Sequence, residues 1–138
     1  MYNGTGQAKS IGDKAKKELG RIGENLVLCR YVDRGLKPVA TNWRAGAKAE
    51  LDVVVYDERE ELLCVCEVKT RSISGGRAAP DIDPSDNVNA RKRMKLRYAA
   101  RAFIEKNPAY AEKNVRFDVA EVYNRDGAYT VSIIENVF

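Results

Sequence analysis

The sequence predicts an α/β fold, a mixed sheet flanked by helices in the order α-β-β-β-α-β-β. Three observations predict it. Apolar residues recur at helical spacing in two separate stretches. Shorter apolar or alternating runs, rich in valine, isoleucine and tyrosine, lie between and after them, bounded by turn residues. The chain has 138 residues and no internal repeat or clear linker, which is the scale of one hydrophobic core.

Residues 1–12 have no apolar centre of the signal-peptide kind and read as a flexible lead-in to a single domain over 13–138. The first helix is expected from about Asp13 to Arg34, capped by Ser10 or Asp13 and ended by Gly35 before Pro38. Ala15, Leu19, Ile22, Leu26 and Cys29 would be its core face. Strands follow at Lys37–Arg44, Glu50–Asp57 and Glu61–Thr70, with "RAGAKA" and "DERE" as turns. Connections this short favour an antiparallel meander. Ser72–Asn87, rich in Gly, Pro, Ser and Asp, reads as a long surface loop. The second helix is expected from about Val88 to Glu105, with Leu96, Ala99, Ala100 and Phe103 as its buried stripe. Strands at Val115–Tyr123 and Ala128–Ile134, joined by "NRDG", close the chain.

Composition excludes several chemistries. There is no histidine, so Ser-His and Cys-His nucleophilic sites, histidine-bearing zinc sites and histidine general bases are ruled out. Cys29, Cys64 and Cys66 are odd in number and form no CxxC pair, which argues against disulfides and structural zinc. Reduced thiols filling a strand face suit a cytoplasmic location. No apolar run approaches a membrane span. The net charge of +4 matters only where it clusters.

One stretch, "AELDVVVYDEREELLCVCEVKTR" over residues 49–71, places charge against strands that should be buried. Such charges cost free energy unless they are paired, hydrated or bound to a metal. Strand alternation puts Glu50 and Asp52 on one face, and Glu67 and Lys69 on one face of the next strand. If the strands are neighbours, Asp52, Glu67 and Lys69 meet at one edge of the sheet. Carboxylates held close repel unless a cation lies between them, and oxygen ligands select a hard ion, Mg²⁺ or Mn²⁺. The competing reading is a set of solvated strand-end charges, with Glu67 and Lys69 as a surface pair. Asp52 followed by Glu67-Val68-Lys69 resembles the PD-(D/E)xK nuclease signature.

The helices add to this. Gly20 and Gly23 sit inside the first helix, where each costs about 1 kcal/mol relative to Ala, and glycine there permits close approach of another backbone. Glu24 beside them is open to two readings: an exposed helix glutamate, or a further ligand reaching toward Asp52. In the second helix Lys92 lies one turn before Leu96 on the core stripe, while Arg91, Arg93, Lys95, Arg97 and Arg101 cover the other faces. A basic helix beside carboxylates, with Arg71 just past the ExK triplet, suits a nucleic-acid backbone. Tyr31, Trp43, Tyr56 and Tyr98 read as core or rim residues rather than base-stacking platforms. "RFDV", residues 116–119, reads as a structural charge pair at a strand start.

Together the blocks "GRIGENLVLCRYVDRGL", "NWRAGAKAELDVVV", "EVKTR", "VNARKRMKLRYAARAFI", "RFDV" and "IIENVF" resemble the YraN-type uncharacterised protein family over nearly everything after Leu19. That family is similar in fold to restriction-endonuclease-like proteins, including Holliday junction resolvases. The resemblance implies a nuclease-like domain with Glu24 as the helix acid, Asp52 and Glu67 as metal ligands, Lys69 as the catalytic lysine and Lys92 as a recurrent second-helix lysine. Glu50 matches the acid of the family's G-E-[IL]-D pattern, although Ala49 replaces its glycine. The expected activity is Mg²⁺- or Mn²⁺-dependent hydrolysis of phosphodiester bonds in DNA, including branched DNA, with Asp52 and Glu67 holding the ion helped by Glu24 or Glu50. The alternatives are a nucleic-acid-binding module without turnover and an adaptor for a protein partner. A homodimer is suggested only by the likeness to resolvases.

Overall fold

The computed structural model describes residues 4–73 and 89–138, with side chains from residue 12 onward. Helix α1 spans Gly4–Asp33. It begins well before Asp13, because Gly4–Gly12 contains no proline and extending a formed helix costs far less than nucleating one. Residues 1–3 of the expected lead-in lie outside the described residues. The C-terminus of α1 is closed by Gly35 at φ +94, where Leu36 N–H donates to Tyr31 O and Gly35 N–H to Val32 O, the paired bonds of a Schellman motif.

Three strands follow, β1 (Lys37–Ala45), β2 (Ala49–Asp57) and β3 (Leu62–Ile73). The Asp57 carboxylate accepts from Arg59 N–H at 3.0 Å to shape the "DERE" turn. Helix α2 (Ala90–Lys106) is capped by Asn89, whose side chain accepts Lys92 N–H at 2.9 Å. A single 3₁₀ turn, Pro108–Tyr110, leads to β4 (Asn114–Arg125) and β5 (Ala128–Ile134). The expected loop begins later than Ser72, since β3 pairs with β4 as far as Ile73 opposite Arg125. Residues 74–87 of that loop, and Val88, lie outside the described residues.

The five strands form one sheet in the order β1-β2-β3-β4-β5. β1, β2 and β3 are the antiparallel meander that the short turns require, β4 runs parallel to β3 after the α2 crossover, and β5 returns antiparallel. Helix α2 covers one face through Leu96, Ala99 and Phe103 against Val54, Leu63, Val65 and Val119. Helix α1 covers the other through Val27 and Tyr31 against Val53, Val55, Cys64 and Cys66. This is the α/β arrangement expected of a restriction-endonuclease-like core. The cysteines are free thiols, Cys64 and Cys66 buried and Cys29 exposed. None of the described helices is long and apolar enough to cross a membrane.

The face of α1 differs from the apolar periodicity. Ala15 and Cys29 are exposed and Leu19, Ile22 and Leu26 only half-buried, whereas Gly23, Val27 and Tyr31 are buried. Two contacts set this rotation. Gly23 lies against Thr70 of β3, where a Cβ would collide with Thr70 Oγ1 and lie 3.0 Å from its Cβ. One turn past Val27, Tyr31 Oη donates to Asp118 Oδ2 at 2.6 Å in the interior. Asp118 is 1% exposed and also takes a bidentate pair from Arg116 at 2.9 and 3.0 Å, so the "RFDV" couple is structural, as read from the sequence.

Candidate active site

The β2–β3 ladder ends at Val53 opposite Cys66. Beyond that point β2 stays with β1 down to Ala49, while β3 stays with β4 up to Ile73. The sheet therefore forks. Val68 N–H finds its acceptor in a side chain, Asp52 Oδ2 at 2.9 Å. A strand N–H at this depth needs a partner, and the carboxylate supplies it. Asp52 is thus fixed in the fork by the backbone of the neighbouring strand.

Glu67 follows Cys66 immediately. Alternation turns it to the face of Leu63 and Val65, under α2, and it is 5% exposed. Two lysines meet one of its oxygens: Lys92 Nζ stands 2.9 Å from Glu67 Oε1, and Lys69 Nζ stands 3.8 Å from it. Lys92 reaches it from the stripe that also buries Leu96, one turn on. The expected Glu67–Lys69 pair therefore forms, but around a buried carboxylate rather than at the surface, and the closer partner of Glu67 comes from α2.

Glu24 comes from α1, on the opposite face. The contact of Gly23 with Thr70 brings α1 close to β3, and Glu24 hydrogen-bonds the side chain of Asn42 on β1. Its Oε2 is buried without a hydrogen-bond partner among the described residues. Glu50 sits between the two groups. A cavity of about 260 Å³ is lined by Glu50, Asp52, Glu67, Lys92, Lys95 and Arg44. A neighbouring hollow is lined by Glu24, Asn42, Lys17 and Arg21, and shares Glu50 and Arg44. Arg44 Nη2 is 3.6 Å from Glu50 Oε2.

The protonation of these groups follows from the crowding. Burial first, then the Glu67 carboxylate, pushes Asp52 up to about 8, against the pull of Val68 N–H. Burial raises Glu24 as well, with Glu50 and Glu67 adding repulsion that Asn42 partly offsets. For Lys92, burial works against the ammonium but the bond to Glu67 and the charges of Asp52 and Glu50 outweigh it, so its pKa is raised. The crowding thus favours the protonated forms of Asp52 and Glu24.

Glu24, Glu50, Asp52, Glu67, Lys69 and Lys92 are thus brought to one region from four elements. Of the other basic candidates, Lys95 lines the cavity and Arg91 is exposed at the start of α2. Arg93 turns away, its guanidinium 5.4 Å from the Phe138 ring centroid, and Arg97 shares that ring at 5.7 Å. Arg71 lies farther along β3, opposite Tyr123. Sequence reasoning missed Asn42 and Arg44. Asn42 has φ 50, a conformation asparagine tolerates, and strand β1 carries no apolar alternation that would mark either residue. Tyr98, read as core or rim, is 60% exposed.

The donor set fits a hard cation in its chemistry: carboxylate oxygens only, one of them buried without a partner and another on a carboxyl whose pKa is raised. Among the described residues, no three Asp, Glu, Cys or His side chains stand together as a ready metal-holding group. Lys92 Nζ, 2.9 Å from Glu67 Oε1, partly neutralises that carboxylate.

Comparison with known proteins adds the lineage. The model of "Uncharacterised protein family UPF0102" matches residues 23–122. This chain belongs to the UPF0102 family. The matched span runs from Gly23, at the α1–β3 contact, to Val122 in β4, so it contains the whole fork. Among UPF0102 relatives, one from Thermosynechococcus vestitus is 36% identical over 113 residues, covering 82% of this chain and 86% of the relative. One from Acidothermus cellulolyticus is 33% identical over 135 residues, covering 90% and 96%. One from Synechocystis sp. is 31% identical over 125 residues, covering 88% and 77%. The family resemblance read from the sequence blocks is therefore correct.

Proposed function

We propose that this UPF0102 chain is a metal-dependent nuclease that hydrolyses phosphodiester bonds in DNA. The observation that carries this reading is the meeting of Asp52 and Glu67 in one cavity where β2 and β3 part, with Lys69 beside Glu67 and Glu24 in the adjoining hollow. Buried like charges are costly, and a divalent cation between Asp52 and Glu67 would offset that cost. Asp52 and Glu67 would hold a Mg²⁺ or Mn²⁺ ion, with Glu24 or Glu50 assisting. Such an ion supplies Lewis-acid polarisation of a phosphoryl oxygen and a more acidic water.

The chain's own groups do the rest. Lys69, 31% exposed and 3.8 Å from Glu67, is placed to neutralise charge developing on the phosphoryl group. Lys92, whose Nζ is 2.9 Å from Glu67 Oε1, would be available to a phosphate if Glu67 engaged an ion. Lys95 and Arg44, on the cavity wall, position flanking phosphates. Glu24 Oε2, without a partner, can accept a hydrogen bond from the attacking water. None of these roles needs a histidine.

The test is cleavage or nicking of linear, flapped and four-way DNA with Mg²⁺ or Mn²⁺. Asp52→Asn and Lys69→Ala are each expected to lower the rate at least 100-fold, on the order of other losses of an electrostatic catalytic group. Cleavage that persists in either variant counts against the assignment.

A second reading is a nucleic-acid-binding module without turnover. The Lys92–Glu67 pair and the lack of a ready three-donor group among the described residues favour it. It predicts salt-dependent binding, no products and no effect of a divalent ion on affinity.

A further inference from the structure

Beside the cavity runs a second groove, of about 630 Å³, lined by Ala45, Lys48, Ala49, Met94, Lys95 and Tyr98. Its floor is apolar and open: Met94 is 70% exposed and Tyr98 60% exposed. They lie four residues apart on α2, so their side chains are neighbours on its surface. The two hollows share Lys48, Ala49 and Lys95. The groove is thus continuous with the place where a phosphodiester would sit. Along α2, Lys92, Lys95 and Tyr98 follow at three-residue steps, which puts Tyr98 about 9 Å beyond Lys92 at 1.5 Å per residue.

We propose that Tyr98 and Met94 form a stacking shelf for an unpaired nucleobase next to the phosphate held in the fork. The substrate class is then nucleic acid with an unstacked nucleotide beside the scissile bond, as in a flap, a junction or a single strand. This rests on the nuclease reading for the position of that phosphate. Three features favour a nucleobase over a protein surface. The groove's charged lining is Lys48 and Lys95, cations with no acid among them, which complements a polyanion. Helix α2 carries seven basic residues up to Arg101 and Lys106 against one acid, Glu105, so its exposed side repels cationic partners and attracts phosphates. An aromatic face beside a cationic track is the combination that single strands use, and it accepts any base because every base has a π-face. A paired base offers no free face, so the shelf discriminates against uninterrupted duplex. Of the core and rim readings of Tyr98, its exposure excludes the core.

The experiment is fluorescence anisotropy in EDTA, with a labelled single strand, its duplex and the duplex bearing a flap, on the full chain. Wild type is expected to bind the single strand and the flap more tightly than the duplex. Tyr98→Ala should lower affinity for those two about ten-fold and leave the duplex nearly unchanged, on the scale of one lost base stack. Tyr98→Phe should retain affinity and Tyr98→Leu should not, because a leucine covers the floor without a π-face. Tyr98 is exposed, so folding is retained, and circular dichroism checks it. Equal losses on all three DNAs, or none, overturn the shelf. So does a wild-type dimer that Tyr98→Ala dissociates in sedimentation, which would make the groove a contact between copies. Binding that depends on Tyr98 without any cleavage keeps the shelf and removes the nuclease reading. Cleavage indifferent to Tyr98 does the reverse.

Discussion

Asp52 shows how one side chain can organise a site. Its carboxylate replaces a ladder acceptor for Val68 N–H at 2.9 Å, and this holds the side chain inside the fork. The cost is visible in its proton affinity, raised from 3.8 to about 8 by burial and by Glu67. A carboxyl whose pKa is higher in the folded chain than in the unfolded one favours folding fully below the unfolded value. That contribution is lost as pH rises through the folded value. Metal-free wild type should therefore lose stability between pH 3.8 and about 8 relative to Asp52→Asn, which can still accept from Val68. The difference should reach a few kcal/mol at the upper end, since each tenfold change in proton affinity is worth about 1.4 kcal/mol. Urea denaturation in EDTA across that range measures it. Parallel curves for the two proteins would mean that Asp52 is better solvated than its position in the fork implies.

At the scale of elements, α1 was legible as a helix but not in its orientation. Apolar periodicity picks out Ala15, Leu19, Ile22, Leu26 and Cys29, yet the helix lies on Gly23, Val27 and Tyr31. Glycine adds nothing to an apolar pattern, and a tyrosine that hydrogen-bonds a buried Asp118 is drawn inward by polarity rather than by hydrophobicity. The stripe of α2, by contrast, contains only apolar side chains, and all four expected residues are buried. Glu24, on a helix, was open to two readings, whereas the strand acids Glu50, Asp52 and Glu67 were legible because alternation needs only the strand to be right. Asn42 and Arg44 were not, because their roles depend on where Glu24 and Glu50 end up. The two helix glycines separate cleanly on the same grounds. A Cβ at Gly20 meets only Glu24 Oε1 at 3.9 Å, so Gly20→Ala should gain about 1 kcal/mol of helix propensity. At Gly23 that gain is outweighed by overpacking against Thr70, whose branched side chain is stiff, and Gly23→Ala should lose about 1–3 kcal/mol overall. Thermal unfolding of the two variants tests the close approach. Adding Thr70→Ala to Gly23→Ala should recover much of the loss. If the two glycine variants shift stability in the same direction, α1 does not rest on β3 as described.

Over the whole molecule, charge is sorted more sharply than the formal net of +4 suggests. Acid lies inside the fork, in Glu67 and Asp52, while base lines its mouth and continues along α2 in Lys92, Lys95 and Lys48 on the facing turn. On the proposed function, a polyanion approaching this mouth would meet cations first and the carboxylates last. Affinity should therefore be set by counterion release, with the logarithm of the binding constant falling linearly against the logarithm of salt concentration. Each phosphate contact contributes about 0.9 to the slope. Lys95 borders both hollows, so Lys95→Ala should weaken binding to every DNA and reduce the slope by about one. Arg93 leans on Phe138, 5.4 Å from its ring, and Arg93→Ala should leave the slope unchanged although both residues belong to one basic helix. Titrations of one labelled single strand at several salt concentrations separate the two cases. A slope lowered equally by both substitutions would show that the polyanion lies along the whole of α2 and is not guided into the fork.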